Sequence, residues 1–357
     1  MASLSVRTLE PKYTPSYSML GEDLVMDAQA DVQSPFLPGT NIQFAWDSTC
    51  LGYIKQCPRL YQYTIIEGWS PKDESVHLRF GSEYHQAIQE YDIERANGRG
   101  HEDAIRTSIR NLLARTRDWI VDESIKAGNY KNPRTLLQLC VDYFDFFAND
   151  PAQTFILENG KPAVELSFKF ELDWGPKASP SIQNTEANGG KIEFAQPYLL
   201  CGHLDRVVTF SDHLFVLDHK TTTIAPGSYF FNQFEPNNQM TLYTLAGKVI
   251  IDSPIRGVII EAAQILLEKP NRFVRGFTYR TQDQLDEWVG DLHYTLQLAE
   301  YYAEMNYWPQ NDTACDKYGG CRFREICSKS PGVRETFLKA DFNKLEKEDR
   351  WNPLKPR

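Results

Sequence analysis

The sequence predicts an α/β protein of mixed type, in which a helical part precedes an alternation of strands and helices. Residues 80–95, 101–127 and 134–149 repeat apolar side chains at intervals of three and four, which indicates three helices. Residues 164–172 alternate strictly between apolar and polar side chains, which is typical of a half-buried strand. Strand-like and helical segments then follow one another as far as Met305.

The second half of the chain continues this alternation. A helix is expected at about 236–251, and strands at 255–267 and 273–279 lead into a long helix at 282–305. A polar stretch at 175–190, with Pro, Ser, Asn and Gly, predicts a long exposed loop.

Length, charge and hydropathy limit the classes of function. The chain has 357 residues and a formal net charge of -10 at pH 7, which argues against a protein that coats nucleic acid by bulk charge. The net charge does not exclude a local basic groove or a metal that neutralises phosphate. No apolar run approaches the roughly 18 to 20 residues that cross a bilayer, and the N-terminus lacks a basic region followed by an apolar core. We therefore expect a soluble cytoplasmic protein without a membrane partner.

The chain divides into an arm, a folded region and a tail. Residues 1–42 are polar and carry several prolines, so we expect an extended or disordered N-terminal arm. Residues 43–328 form the folded region, with a helical part at 80–150, a core at 160–305 and a cysteine segment at 315–327. Residues 329–357 form a charged C-terminal tail.

A β-hairpin is the most informative local prediction. Residues 199–210 and 213–221 are rich in Leu, Val and Phe, and Ser211-Asp212 between them fits a two-residue turn. In the register set by that turn, Asp205 and Asp218 face each other. Directly opposed like charges destabilise a hairpin, so we expect a cation between them.

The two carboxylates predict a site for Mg²⁺ or Mn²⁺, which prefer oxygen ligands. Asp205, Asp218 and the backbone carbonyl of His219 can supply such ligands. Lys220 points to the same face as Asp218 and is suited to orient a water for attack on phosphorus. This chemistry is metal-dependent phosphodiester hydrolysis. The alternative is a salt bridge on the strand face, between Asp205 and Arg206 or Lys220.

Four further side chains fit the same site. His85, in a predicted helix start, can complete the metal sphere, and Glu165, on the polar face of its strand, can reach the cation directly or through water. Gln239 and Tyr243 lie four residues apart, hence on one helical face, and suit phosphate oxygens or a base edge. The alternatives are a helix-cap histidine, a polar helix stripe and a solvated glutamate.

Four cysteines predict a second metal centre. Cys315, Cys321 and Cys327 are each separated by five residues in a Gly-bearing segment, and Cys57 is the best candidate for a fourth ligand. A 4Fe-4S cluster and a tetrahedral Zn²⁺ both fit four thiolates. The alternative is a set of reduced structural thiols. Three cysteines lie among apolar residues and are expected in the core: Cys50, Cys140 and Cys201.

The ordered set of motifs resembles the RecB-like branch of the PD-(D/E)xK nuclease superfamily. The motifs are Gly81-x3-His85, Gly202-x2-Asp205-Arg206, Asp218-x-Lys220-Thr221-Thr222 and Gln239-x3-Tyr243. Cys57-Pro58-Arg59 and the cysteine segment are similar to the iron-sulfur staple of its AddB-type, CRISPR-associated exonuclease and phage-encoded members. There are two departures. Asp218 stands where many members carry Glu, and the last three cysteines follow an x5, x5 spacing instead of the commoner x2, x5.

The resemblance implies a fold, an activity and roles for residues. The fold would be a restriction-endonuclease-like core, with a mixed sheet flanked by helices and an N-terminal helical insertion, and the activity metal-dependent DNA cleavage. Lys220 would be the catalytic lysine, Gln239 and Tyr243 would hold DNA, and Glu165 matches an acidic position on the first core strand. The implied metal ligands are His85, Asp205, Asp218 and the His219 carbonyl. The implied cluster ligands are Cys57, Cys315, Cys321 and Cys327.

The leading hypothesis is a monomeric DNA exonuclease that acts on single strands or strand ends, in recombination or repair. No helicase motif is present, so unwinding would come from a separate helicase or recombination protein. The alternatives are a non-catalytic DNA-binding or assembly subunit with this fold and a metal-dependent small phosphoesterase. Candidate phosphate contacts are Lys55, Arg59, Arg79, Arg206, Lys220, Arg322 and Arg324.

Overall fold

The computed structural model describes residues 33–72, 75–119, 130–176, 196–251, 253–317 and 320–355. Its strands are β1 (Ala45–Trp46), β2 (Trp69–Pro71), β3 (Gln153–Thr154), β4 (Val164–Glu171), β5 (Leu199–Phe210), β6 (His213–Thr222), β7 (Ile255–Gln264), β8 (Arg272–Thr278) and β9 (Phe342–Lys344). Its α-helices are α1 (Ser48–Gln56), α2 (Pro58–Tyr61), α3 (Val76–Ala96), α4 (His101–Arg115), α5 (Pro133–Phe146), α6 (Ser228–Phe231), α7 (Asn238–Ile250), α8 (Gln282–Glu304), α9 (Arg324–Ser328) and α10 (Arg334–Asp341). A π-helical turn, Gln62–Ile66, follows α2.

A mixed sheet forms the centre of the fold. Strand β5 pairs with β6 and β1 along one edge and with β3 and β4 along the other, and the sheet continues from β6 to β7 and β8. The pairs β1–β5 and β6–β7 are parallel, and the other pairs of this sheet are antiparallel. The predicted class, a mixed sheet flanked by helices, is confirmed.

Helices cover both faces of the sheet. On one face, α1, α7 and α8 share a core with the strands, in which Leu242 of α7 and Leu292 of α8 are fully buried together with Val258 of β7. On the other face, α3, α4 and α5 form a second core, where Tyr84 and Leu139 pack with Ala263. Successive residues of a strand therefore face different helical layers, because side chains alternate across a sheet.

The predicted hairpin is present with its predicted turn. Ser211 and Asp212 have φ values of 49° and 63°, the left-handed conformation that two-residue hairpin turns of type I′ require. The register runs from the pair Phe210–His213 to the pair Arg206–Leu217. Asp205 and Asp218 lie one step beyond the last pair, so the prediction that they are opposed agrees with the register.

The strands β5 and β6 diverge at the two aspartates. Beyond Leu217, β6 continues along β7 as far as the pair Thr222–Gln264. The edge of β5 that faces β6 pairs with β1 at Leu199 and Leu200. Between Leu200 and Arg206, no strand among the described residues pairs with this edge, which leaves a gap in the sheet.

Two predicted helices have other limits. α3 begins at Val76, because the side chain of Ser75 accepts a hydrogen bond from the backbone N–H of Leu78 and caps the helix there. His85 consequently lies in the third turn, and the expectation that it stands at a helix start was wrong. The helix predicted at 101–127 ends at Arg115, and residues 120–129 lie outside the described part of the chain.

The segment predicted as a charged C-terminal tail contains α10 and β9. β9 pairs antiparallel with β2, and Leu338 and Phe342 share a small core with Cys57. The predicted N-terminal arm is described only from residue 33, and most of the predicted loop at 175–190 also lies outside the described residues. None of the described helices is long and apolar enough to cross a membrane.

Candidate active site

The two aspartates sit at the gap between β5 and β6. Asp218 lies two residues after the buried Val216, so both side chains are on the same face of the sheet and point towards α7. The side chain of Asp218 is 1% exposed. The side chain of Asp205, on the facing strand, is 12% exposed. One carboxylate therefore lies at the bottom of the gap, while the other is reached by solvent.

Asp205 is held by two groups. Its Oδ2 lies 3.2 Å from Nδ1 of His85, on α3, and accepts a hydrogen bond of 3.0 Å from the backbone N–H of His219. In an extended strand the N–H and the C=O of one residue point to the same edge. The carbonyl of His219 therefore also faces the gap, as a metal ligand at this position requires.

Lys220 links Asp218 to α7. Its Nζ lies 2.7 Å from Oδ2 and 2.9 Å from Oδ1 of Asp218, and it donates a hydrogen bond of 3.2 Å to Oε1 of Gln239. Nε2 of Gln239 in turn donates to the hydroxyl of Tyr243, one helical turn further, at 3.0 Å. The side chain of Asn237 caps α7 and begins the helix one residue before Gln239.

The environment acts differently on the two carboxyl groups. Burial raises the pKa of Asp218, and the charge of Asp205 adds to this effect, while Lys220 partly offsets it. Burial also opposes ionisation of Asp205, but the neighbouring side chains of His85 above all, then His219 and Lys220, lower its pKa below the usual value. A divalent cation would favour the ionised form of both groups.

The oxygen atoms of Asp205, Asp218 and the His219 carbonyl fit a divalent cation that retains several coordinated water molecules. Among the described residues, no group of three or more His, Cys, Asp or Glu side chains is arranged to hold a metal ion. Asp205 is paired with His85 and Asp218 with Lys220, so three side-chain ligands are not preassembled. Mg²⁺, however, commonly takes only one or two protein carboxylates and retains several waters. Oδ2 of Asp218 is buried and lies 2.7 Å from the ammonium group of Lys220, so a divalent cation would share this carboxylate with Lys220.

Glu165 lies beside the site with a strained backbone. It stands between the register pairs Val164–Arg206 and Leu166–Leu204, hence across from Asp205. Its φ of 48° is uncommon for a residue with a side chain. Such strain costs about 1 to 3 kcal/mol and clusters at functional sites. The role predicted for its carboxylate stays a prediction.

Arg206 is buried, which contradicts the prediction that it contacts phosphate. It is 6% exposed and points away from Asp205, to the sheet face that packs against α3. There its Nη1 lies 3.2 Å from Oδ1 of Asp92, and its Nε donates to Oγ1 of Thr154 at 2.9 Å. The alternative of a salt bridge between Asp205 and Arg206 is also excluded by this geometry.

Most of the predicted site residues come together in space. Contacts join six of them into two groups on either side of the gap: His85 with Asp205, and Asp218 with Lys220, Gln239 and Tyr243. The prediction missed Glu261, which contacts the imidazole of His219, and Arg275, which donates a hydrogen bond to Glu261. A charged residue within an apolar strand, such as Glu261 in Ile259-Ile260-Glu261-Ala262, is the sequence signal that points to them.

The four predicted cluster cysteines line one cavity of about 60 Å³, together with Leu60 and Phe323. Burial raises the pKa of Cys315, and the neighbouring thiols of Cys321 and Cys57 raise it further. Sγ of Cys57 accepts a hydrogen bond of 3.4 Å from the backbone N–H of Asn311. The other three cysteines are buried in the two main cores, as predicted: Cys50, Cys140 and Cys201.

Comparison with known proteins gives a family match and a structural neighbour. Residues 51–328 match the sequence profile of the PD-(D/E)XK nuclease superfamily. No curated protein matches the chain. Among solved structures, the chain is similar to the crystal structure of a "putative exonuclease" from Eubacterium rectale, with 10% sequence identity and a TM-score of 0.43, over 82% of this chain and 92% of the other.

Proposed function

This chain belongs to the PD-(D/E)XK nuclease superfamily, and we propose that it is a metal-dependent DNA exonuclease. The observation that carries the proposal is the convergence of Asp205, Asp218 and Lys220 at the gap in the sheet, with His85 on one side and Gln239 on the other. These side chains come from α3, β5, β6 and α7, so it is the folding of the chain that brings them together.

Asp205, Asp218 and the carbonyl of His219 would hold the cation, and nucleases of this superfamily generally use Mg²⁺ or Mn²⁺. When bound, such a cation polarises a phosphoryl oxygen and lowers the pKa of a coordinated water. His85, 3.2 Å from Asp205, is the nearest candidate for a further ligand. The lowered pKa of Asp205 keeps this carboxylate ionised and ready to bind.

Lys220 would act directly on the reacting groups. Its side chain is 28% exposed, so the ammonium group reaches solvent while Asp218 and Gln239 fix its position. In that position it orients a water for attack on phosphorus and neutralises the charge that develops on the phosphate. Gln239, held by Tyr243, keeps the ammonium group in place, and both side chains would also hold the DNA.

We propose that the substrate is DNA, in the form of single strands or strand ends. The motif order resembles nucleases that work on DNA ends, and no helicase motif is present. Unwinding of a duplex would then depend on a separate helicase or recombination protein, which would place the enzyme in DNA recombination or repair.

We also propose that Cys57, Cys315, Cys321 and Cys327 hold a 4Fe-4S cluster, with Zn²⁺ as the alternative. The shared cavity of the four thiols supports this proposal. Such a centre would join α2 to the segment before α9, which are far apart in the chain.

A substrate panel tests the proposed function. The purified protein is incubated with linear single-stranded, linear duplex and circular single-stranded DNA, labelled at either end where ends exist, with Mg²⁺, with Mn²⁺ or with EDTA. We expect degradation of linear DNA to short products only with a metal, and no loss of circular DNA. Binding of DNA without cleavage would indicate the non-catalytic subunit instead, and hydrolysis of bis(p-nitrophenyl) phosphate without DNA cleavage would indicate the small phosphoesterase.

A further inference from the structure

A buried ionic network lies directly behind the two aspartates, on the sheet face that packs against α3 and α5. His219, Glu261 and Arg275 are register neighbours across β6, β7 and β8. Nδ1 of His219 and Oε1 of Glu261 are 2.9 Å apart, and Nε of Arg275 donates to Oε2 of Glu261 at 2.7 Å. Both carboxylate oxygens of Glu261, which is fully buried, are therefore occupied.

Two arginines extend this network to the helical part of the chain. Arg275 donates two hydrogen bonds, of 2.6 and 2.7 Å, to the carboxylate of Asp150, which follows α5. Arg206 of β5 lies 3.7 Å from Asp150 and 3.2 Å from Asp92 of α3. The network thus connects four neighbouring strands with α3 and with the segment that follows α5.

The members of the network are next to residues of the candidate site along both strands. His219 stands between Asp218 and Lys220 in β6, and Arg206 follows Asp205 in β5. In α3, Asp92 lies two turns after His85 on the same face, so one helix contacts the consecutive residues Asp205 and Arg206. A displacement of the network would move the backbone that carries the ligands.

Stability alone is a poor explanation for so many buried charges. Removing an ion from water costs several kcal/mol, and well-packed apolar side chains at such places are often as stable or more stable. The surroundings are apolar, since Leu217 and Ile259 on the same face are fully buried. The network lies where this face adjoins the site, since His219 and Arg206 are next to Asp218 and Asp205 in their strands.

We propose that Glu261 is a positioning residue of the metal site. Through His219 it fixes the backbone of β6, so that the carboxylate of Asp218 and the carbonyl of His219 face Asp205 across the gap. Arg275 and Asp150 hold Glu261 in turn. This inference rests on the proposed function, because it takes the aspartates as metal ligands.

Titration with Mn²⁺, followed by the electron paramagnetic resonance signal of free Mn²⁺, tests the proposal without DNA and without catalysis. The full chain is compared with its Glu261→Gln variant, which keeps the shape of the side chain and removes its charge. Outer partners of metal ligands are typically worth about 10- to 100-fold in metal affinity, so we expect the variant to bind Mn²⁺ at least roughly tenfold more weakly. The double variant Asp205→Asn, Asp218→Asn gives the background from other acidic groups.

Glu300→Gln is the matched control. Glu300 is a buried glutamate of α8 that accepts a hydrogen bond from Tyr198 in the core on the other sheet face. We expect this variant to lose thermal stability without a change in Mn²⁺ affinity. In cleavage assays, Glu261→Gln should lower kcat at a low, fixed Mn²⁺ concentration, leave KM for DNA unchanged and recover kcat at saturating Mn²⁺, whereas the added metal would not restore a rate lost through a merely structural defect.

The outcomes separate this proposal from the proposed function. If Glu261→Gln does not fold, Asp150→Asn removes the anchor of Arg275 instead, and we expect a smaller loss of Mn²⁺ affinity in the same direction. Wild-type Mn²⁺ affinity in the folded variant would overturn the positioning role alone. A wild-type protein that neither binds Mn²⁺ above background nor cleaves DNA would overturn the proposed function, and the positioning role with it.

Discussion

Lys220 holds a central place among the residues of the site, because its ammonium group contacts a buried carboxylate and a helix side chain at once. An unrestrained lysine side chain samples many rotamers, and ordering it costs up to about 2 kcal/mol. In the folded protein, Asp218 and Gln239 already order the lysine side chain, so this entropy is not lost again when substrate binds. The site is therefore preorganised on the side of Lys220.

Gln239→Ala removes the neutral acceptor of Lys220. A hydrogen bond to a charged group is worth about 1.5 to 3 kcal/mol, so we expect the single-turnover rate of DNA cleavage to fall by roughly 10- to 100-fold. Gln282→Ala, at the exposed start of α8, is the control and should cleave at the wild-type rate. An unchanged rate in Gln239→Ala would show that Asp218 alone is sufficient to position the lysine.

At this scale the sequence predicted the side chains that meet at the candidate site but not the buried charges beside them. Asp205, Asp218 and Lys220 follow from a local turn and a strand period, which neighbouring residues determine. Glu261 and Arg206 pair with groups distant in the chain, and only the packed sheet shows that their charges are buried. Arg206 was assigned to phosphate for this reason.

Among the elements, the β5–β6 hairpin decides the geometry of the site. Its two-residue turn sets the register, and its open end, where β6 leaves β5 to follow β7, carries the two aspartates. A shift of one residue would turn Asp218 towards α3 and His219 towards α7. The turn therefore sets the positions of the two aspartates of the candidate site, which lie six residues from it on either strand.

Substitutions in the turn test its conformation. Both Ser211 and Asp212 have positive φ, which Asn and Gly adopt more readily. We expect the double change Ser211→Asn, Asp212→Gly to raise the free energy of unfolding by about 1 kcal/mol, and Asp212→Val to lower it by about 1 to 2 kcal/mol. Urea denaturation measures both. A valine variant as stable as wild type would mean that the turn does not adopt this conformation.

The elements themselves were predicted well where the apolar period is long. The strand at 199–210 and the long helix after Thr281 have the limits that the pattern indicates, to within a residue. The start of α3 was missed because its cap at Ser75 precedes a first turn, Val76–Arg79, without a clear apolar period. Element ends depend on single caps, which a periodic pattern does not record.

At the scale of the whole molecule, the C-terminal residues fold back onto an early part of the chain. β9 pairs with β2, and the cavity lined by cysteines combines Cys57 with residues beyond 310. Such pairing joins residues separated by most of the chain, which local patterns do not reveal. The cysteine spacing alone pointed to this closure, whereas α10 and β9 were expected to be a charged tail.

A cluster at the cysteines would add stability to this closure, because it joins the ends of a very long loop. We expect protein purified without oxygen to be brown, with a broad absorbance near roughly 400 nm, as Cys-ligated iron-sulfur centres are. Cys57→Ser should lose the colour and unfold at a lower temperature, while Cys140→Ser, in the core beside α3, should keep the colour. A colourless wild-type protein that contains zinc would exclude iron.

The central claim is that Lys220 and the two aspartates form a nuclease site, and one comparison of rates tests it most directly. Single-turnover cleavage of an end-labelled single-stranded oligonucleotide is measured with Mg²⁺ for wild type, Lys220→Ala and Lys269→Ala, the last being an exposed lysine between β7 and β8. Loss of a preorganised charge at the reacting group typically costs about 100-fold or more. We predict that Lys220→Ala is folded and slower by at least that factor, while Lys269→Ala matches wild type. A wild-type rate in Lys220→Ala would contradict the assignment of the site.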